Sequence, residues 1–141
     1  MFDKILSKIF KTKDYEFNDV QVTEEVIDYI IDLAINSNPN EFIAEFEGKI
    51  KDKILIINGL IFLPTVTSGE SAVIYTYMKP PTIKTWGTVH SHPGGIPQPS
   101  DADLFTFSRR GLFHMIIATP FRVEDIRGFN HFGEPMDFTI I

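Results

Sequence analysis

The chain has no cysteine. No disulfide can hold its fold, and it cannot carry a thiolate nucleophile, an iron–sulfur cluster or a Cys-based zinc knuckle. Stability has to come from one buried core. With 141 residues and 43% apolar side chains the chain has the means, because a domain of this size removes roughly two-thirds of its unfolded surface from water. A metal site built from side chains must draw on His, Asp or Glu. There are four histidines: His90, His92, His114 and His131.

Charge is unevenly placed. Residues 1–13 carry Lys4, Lys8, Lys11 and Lys13 against Asp3, residues 14–47 carry ten acids and no Lys or Arg, and the remainder is near balance, for a net charge of −6. That balance argues against a nucleic-acid binder dominated by phosphate contacts. No apolar run approaches the roughly 18 residues of a transmembrane helix. The N-terminal apolar run is too short and too charged for a secretory signal, so a cytoplasmic protein is the expectation.

Along the chain, Phe2, Ile5, Leu6, Ile9 and Phe10 have helical spacing with lysines between them. Residues 1–20 read as an extension holding a short amphipathic helix docked on the domain. A surface helix for anionic lipid or a partner is the second reading. The spacing predicts a helix over 24–35, with Thr23 as N-cap, a stripe of Val26, Tyr29, Ile30, Leu33 and Ala34, and Val22 stapled against Ile27. Asn36–Asn40, with Pro39, ends it.

The period then turns strand-like. Phe42, Ala44 and Phe46 alternate with Glu41, Ile43, Glu45 and Glu47, and Gly48 ends the run. After a lysine-rich turn comes the apolar stretch 54–63, where Asn58-Gly59 reads as a hairpin turn. Strands are expected at 72–78, 83–92 and 112–119, with Pro80-Pro81 between the first two. A Pro/Gly-rich loop fills 93–99, and Ser100 opens a helix closed by Gly111. Residues 122–141 read as a terminal strand pair turning near Gly133. His114 reads as a satisfied core or edge histidine, and His131 as a solvated turn residue.

The chemistry concentrates in 90–103, HSHPGGIPQPSDAD. Residues two apart on a strand face the same way, so His90 and His92 can share an ion. Asp103 falls on the first turn of the next helix, where a strand end and a helix start can converge. Two neutral imidazoles and one carboxylate suit Zn²⁺ with a fourth position open, as a catalytic site requires. Ser100-x-x-Asp103 is also a capping-box pattern. Capping accounts for both of those residues but not for the two histidines.

His90-Ser91-His92-Pro93, six residues, Ser100, two residues, Asp103 resembles the motif of the JAMM (MPN-plus) zinc metalloprotease family, archaeal single-domain type. Glu41-Phe42-Ile43-Ala44, ending at Gly48, resembles the family's strand with a glutamate at its head. Leu60–Pro64, 72–78 and Gly87-Thr88-Val89 extend the likeness to about residues 22–138. Glu45 and Glu47 depart from it, since family strands usually stay apolar there. A solvated strand face would account for all three glutamates. The fold implied is α/β: a mixed, strongly curved β-sheet flanked by helices, of MPN or cytidine-deaminase-like architecture, in a single domain over 21–141.

The resemblance further implies one zinc per chain, held by His90, His92 and Asp103. Glu41 would be the general base, with Glu45 the rival on the same face, and Ser100 would donate to the oxyanion. The implied reaction is hydrolysis of the isopeptide bond between a lysine and the Gly-Gly tail of a ubiquitin-like modifier. Alternatives are release of an amino acid or peptide from a ubiquitin-like sulfur carrier, and a non-catalytic scaffold of the same fold. Relatives associated with bacterial DNA repair share a similar H-x-H-P loop, but the acidic stretch 14–47 and the lack of a basic run near 90–103 oppose DNA. The tight 100–112 connection and the absence of cysteine exclude a second zinc knuckle. The physiological modifier, linkage selectivity and oligomeric state are not set by the sequence.

Overall fold

A computed structural model describes residues 16–61, 65–68, 71–74 and 86–141. The expected N-terminal amphipathic helix, Pro80-Pro81 and most of the expected strand 72–78 lie outside these residues. Among the described residues seven strands form one mixed sheet, in the order β8 (Ile126–Asn130), β7 (Phe113–Ala118), β6 (Thr88–His92), β2 (Ile43–Lys51), β3 (Ile54–Ile61), β1 (Asp19–Val22) and β9 (Thr139–Ile140), and a separate antiparallel pair joins β4 (Thr65–Ser68) to β5 (Ser71–Ile74). The sheet is curled into a half-barrel and, among the described residues, carries two helices, as the resemblance led one to expect. Among the described residues no helix is long and apolar enough to cross a membrane.

Helix α1 (Glu24–Ser37) starts where Thr23 accepts a hydrogen bond from the Val26 amide at 3.3 Å. Its buried residues are Val26, Ile27, Ile30 and Ala34. Tyr29, expected in the stripe, is exposed, and Ile27 takes its place. The stripe is rotated so that the wide ring, whose hydroxyl reaches Glu25 at 3.3 Å, stays in solvent.

Strand β1 (Asp19–Val22), not foreseen in the sequence and beginning inside the expected extension, pairs parallel with β3 (Ile54–Ile61). Strand β2 (Ile43–Lys51) runs on through Gly48, which sits at a bulge rather than at an end. Glu47 pairs with Gly59 and Gly48 with Ile57, so Asn58 is the extra residue. Asn58-Gly59 therefore makes a bulge, not the expected hairpin turn. The turn is Asp52-Lys53, both at positive φ (51° and 62°), the backbone that a two-residue hairpin of right-handed twist demands.

Strands β6 (Thr88–His92) and β7 (Phe113–Ala118) run parallel, linked by a loop and helix α2 (Asp101–Arg109). Every residue of β7 is buried. In such a crossover the strand's C-terminal end and the helix's N-terminus open on the same crevice, where ligands of parallel sheets bind. The backbones are close where the crossover closes: a Cβ on Gly87 would stand 1.5 Å from the Phe113 carbonyl oxygen. That contact admits only glycine.

The C-terminal segment departs from the expected strand pair. A 3-10 turn (Val123–Asp125) leads into β8 (Ile126–Asn130), which pairs antiparallel with β7. The chain turns at Gly133 (φ 83°) and bridges back once, Phe129 to Pro135. It then crosses to the other sheet edge, where β9 (Thr139–Ile140) pairs parallel with β1. A two-residue strand with both residues exposed has no alternation for a sequence reading to detect.

Candidate metal centre

The antiparallel register of β2 with β6 sets Ile43 opposite His90 and Glu45 opposite Thr88. Glu41, Ile43 and Glu45 therefore share a sheet face with His90 and His92. At the open end of that face lies a cleft of about 610 Å³. Asn38 and Pro39 after α1, Glu41 and Ile43, both histidines, Gly94 and Gly95 of the loop, and Ser100, Ala102, Asp103 and Thr106 line it.

On the cleft wall three side chains converge. His90 Nε2 and His92 Nε2 are 3.0 Å apart, and each is 3.1 Å from a carboxylate oxygen of Asp103. Among the described residues they form the one group of three candidate ligands. His92 Nδ1 is 3.0 Å from the Ile96 carbonyl, which can only accept. Nδ1 therefore carries a proton, and Nε2, once deprotonated, presents a lone pair to the cluster. Two imidazole nitrogens and a carboxylate this close call for positive charge at their centre, a ring proton or a metal ion. Zinc fits the donor set, and tetrahedral ligands at 2.0–2.1 Å stand roughly 3.3 Å apart, close to the spacing found.

The titration behaviour of these groups follows from the same arrangement. Burial raises Asp103, but its bonds to His90, His92 and the Ser100 amide outweigh that and hold it well below the usual carboxylate range. Burial lowers His92, and the bonds to Asp103 and the Ile96 carbonyl turn the balance upward. Glu41 is raised, chiefly by burial, against the pull of His90 and His92.

The capping box forms as its spacing predicts. Ser100 Oγ accepts from the Asp103 amide at 3.1 Å, and Asp103 accepts from the Ser100 amide at 2.9 Å. The same carboxylate faces both imidazoles, so cap and cluster use one side chain at once. Ser100 accepts in the cap, which leaves its hydroxyl proton free to donate into the cleft.

Glu45, the rival base, is fully buried and lies 3.5 Å from the Arg110 guanidinium. It does not line the cleft. His114 is fully buried, as a core histidine should be, and is bonded at both ring nitrogens. His131 is half-buried in the turn, against the ring of Phe132. The sequence reading missed Ser91. Its hydroxyl accepts from the Phe42 amide at 2.9 Å and ties the head of β2 to the strand of the two histidines. Its place between two ligand-spaced histidines was the available signal.

Comparison with known proteins agrees with this geometry. Residues 23–131 match the family of prokaryotic homologs of the JAB domain. A Haloferax volcanii protein named "probable metalloprotease" is 28% identical over 95% of this chain and 84% of its own. A solved structure described as a JAMM metalloprotease-like zinc site in the proteasome and signalosome superposes with a TM-score of 0.68. It is 30% identical, over 88% of this chain and 99% of its own. A JAB1/MPN domain protein from Archaeoglobus fulgidus gives the same TM-score at 28% identity, with the same coverage.

Proposed function

The chain belongs to the prokaryotic JAB-domain family of JAMM-type metalloproteases, and on that premise we propose that it hydrolyses isopeptide bonds between a lysine and the Gly-Gly tail of a ubiquitin-like modifier. The observation that carries the reading is the convergence of His90 Nε2, His92 Nε2 and the Asp103 carboxylate within about 3 Å, in a cleft that Glu41 and Ser100 also line. We take the domain as residues 21–141 with 1–20 an extension to it, save that β1 begins two residues inside that extension, at Asp19.

His90, His92 and Asp103 would hold one zinc ion. When bound, zinc supplies Lewis acidity and lowers the pKa of water beside it to about 7. Glu41 takes a proton from the attacking water on its carboxylate and delivers it to the departing lysine amine. A carboxylate raised by burial suits a group that must both accept and release a proton near neutral pH. Ser100 donates its free hydroxyl proton to the oxyanion that develops on the substrate carbonyl, typically worth roughly 3–4 kcal/mol. Gly94, Gly95 and Ala102 present no long side chain to the cleft, which suits an extended tail of two glycines.

The test combines metal analysis with cleavage of modifier–lysine conjugates. Glu41→Gln should keep zinc and lose cleavage, and a chelator should abolish wild-type cleavage. Protein from zinc-replete expression that carries no metal would sink the reading. Loss of cleavage in Glu45→Gln but not in Glu41→Gln would reassign the base. Cleavage of peptide-extended modifiers alone, with lysine conjugates untouched, would move the substrate to the sulfur-carrier type.

A further inference from the structure

His114 takes no part in the chemistry above, yet it joins the two elements that carry the metal-facing side chains. It lies in β7 and is fully buried. Its Nδ1 is 3.1 Å from the backbone amide of Thr88 and 2.8 Å from the Thr88 hydroxyl. Thr88 begins β6, two residues before His90. Its Nε2 is 3.1 Å from the carbonyl of Phe107 and 3.2 Å from that of Gly111. Phe107 is one helical turn beyond Asp103 in α2, and Gly111 lies just past the helix end.

Carbonyls only accept, so the ring proton is on Nε2, and Nδ1 accepts both Thr88 donors. The neutral ring is thus fully used, one nitrogen toward the histidine strand and the other toward the aspartate helix. The imidazole also stacks on Phe107, with centroids 4.3 Å apart and planes 13° apart. The Phe107 ring in turn stands 6.2 Å from that of His90. A close-packed core transmits a change at such a bridge rather than absorbing it.

We infer that His114 is a positioning residue: by bonding Thr88 of β6 and Phe107 of α2 at once, it sets the spacing between the His90–His92 pair and Asp103. The inference rests on the metal reading above. An apolar side chain of similar size would fill the space. It would free the strand and the helix to settle against each other in another register of a few tenths of an ångström.

The test measures zinc affinity by chelator competition and the visible spectrum of the cobalt(II)-loaded protein, alongside melting temperature. The proteins compared are wild type, His114→Leu, His114→Gln and Thr88→Val. His114→Gln keeps a donor near the position of Nε2 and so keeps the helix bond. His114→Leu should bind zinc about tenfold more weakly, the lower end of what outer-shell changes cost, with a shifted cobalt band. Thr88→Val, which loses one of the two strand-side bonds, should shift both in the same direction by less, and His114→Gln, which keeps the helix bond but loses those to Thr88, should fall between His114→Leu and wild type. If His114→Leu does not fold, Thr88→Val and His114→Gln decide. Variants that melt lower but keep wild-type zinc affinity and cobalt spectrum overturn the inference, since a histidine that only fills the core behaves that way. Wild-type protein that binds neither zinc nor cobalt overturns the metal reading, and the inference with it.

Discussion

The backbone amide of Phe42 donates to Ser91 Oγ at 2.9 Å, and the amide of Ser91 donates back to the Phe42 carbonyl at 3.1 Å. Ser91 stands between His90 and His92, and Phe42 follows Glu41. This pair therefore fixes the proposed base against the proposed ligands, from the face opposite the cleft. Ser91→Ala leaves a buried N–H without that acceptor, which costs about 1–3 kcal/mol. Denaturant unfolding should show that loss. Conjugate cleavage should fall several-fold through kcat while zinc content stays unchanged, because both imidazoles are untouched. An unchanged kcat would mean that Glu41 does not depend on this bond.

Arg110 caps the far end of α2, and its guanidinium lies 3.5 Å from the fully buried carboxylate of Glu45. Removing one partner of a buried pair costs about 3–5 kcal/mol. Arg110 is about a quarter exposed, and solvent screening lowers the expected loss for Arg110→Met to roughly 2–3 kcal/mol. Adding Glu45→Gln to that variant should recover part of the loss, since the buried charge goes with it. A shift in urea midpoint at constant m-value is the measurement. A double variant no more stable than Arg110→Met would show that Glu45 does not depend on this guanidinium.

The elements legible in the sequence were those whose periodicity reports burial directly. The α1 helix, the run of β7, apolar but for His114, and the capped start of α2 needed no long-range information. The converging trio was legible because strand alternation places His90 and His92 on one face and a capping box puts Asp103 in the first turn of its helix. What escaped depended on pairing partners. Asn58-Gly59 has hairpin-turn chemistry, but the register of β2 on β3 uses it as a bulge, and Asp52-Lys53 adopts the positive-φ turn without glycine. β1 and β9 are short strands whose existence depends on pairing with each other and with β3. Glu45 reads from the sequence either as a solvated strand residue or as the rival base. In the structure it is buried, with Arg110, 65 positions away in sequence, among its partners.

Metal removal should be visible in stability alone. A cation that binds the folded chain and not the unfolded one adds about 2.7 kcal/mol at a free concentration 100 times its dissociation constant. For a domain of this size that corresponds to a melting temperature roughly 8 °C lower after chelation. His92→Gln removes one of the three converging groups, so its melting temperature should not respond to chelator or to added zinc. Scanning fluorimetry with and without chelator decides the point. A wild-type melting curve insensitive to both additions would argue that no zinc is held at His90, His92 and Asp103.

His114 also predicts how stability depends on pH. Burial lowers its pKa from 6.5 to about 4, against the pull of the Gly111 and Phe107 carbonyls, and Thr88 occupies the nitrogen that would have to take the proton. The unfolded chain titrates near the ordinary value and so binds more protons than the folded one between these limits. Stability from this group is then complete above about pH 6.5 and falls as the pH drops toward 4. The full span is worth on the order of 3 kcal/mol. Carboxylates titrate in the lower part of the same range, so the readout is the difference between wild type and His114→Gln, whose amide does not titrate. The wild-type protein should lose more unfolding free energy than the variant between pH 7 and pH 4.5, measured with chelator present throughout. Parallel curves would mean that the folded chain takes up the proton at His114 as readily as the unfolded one.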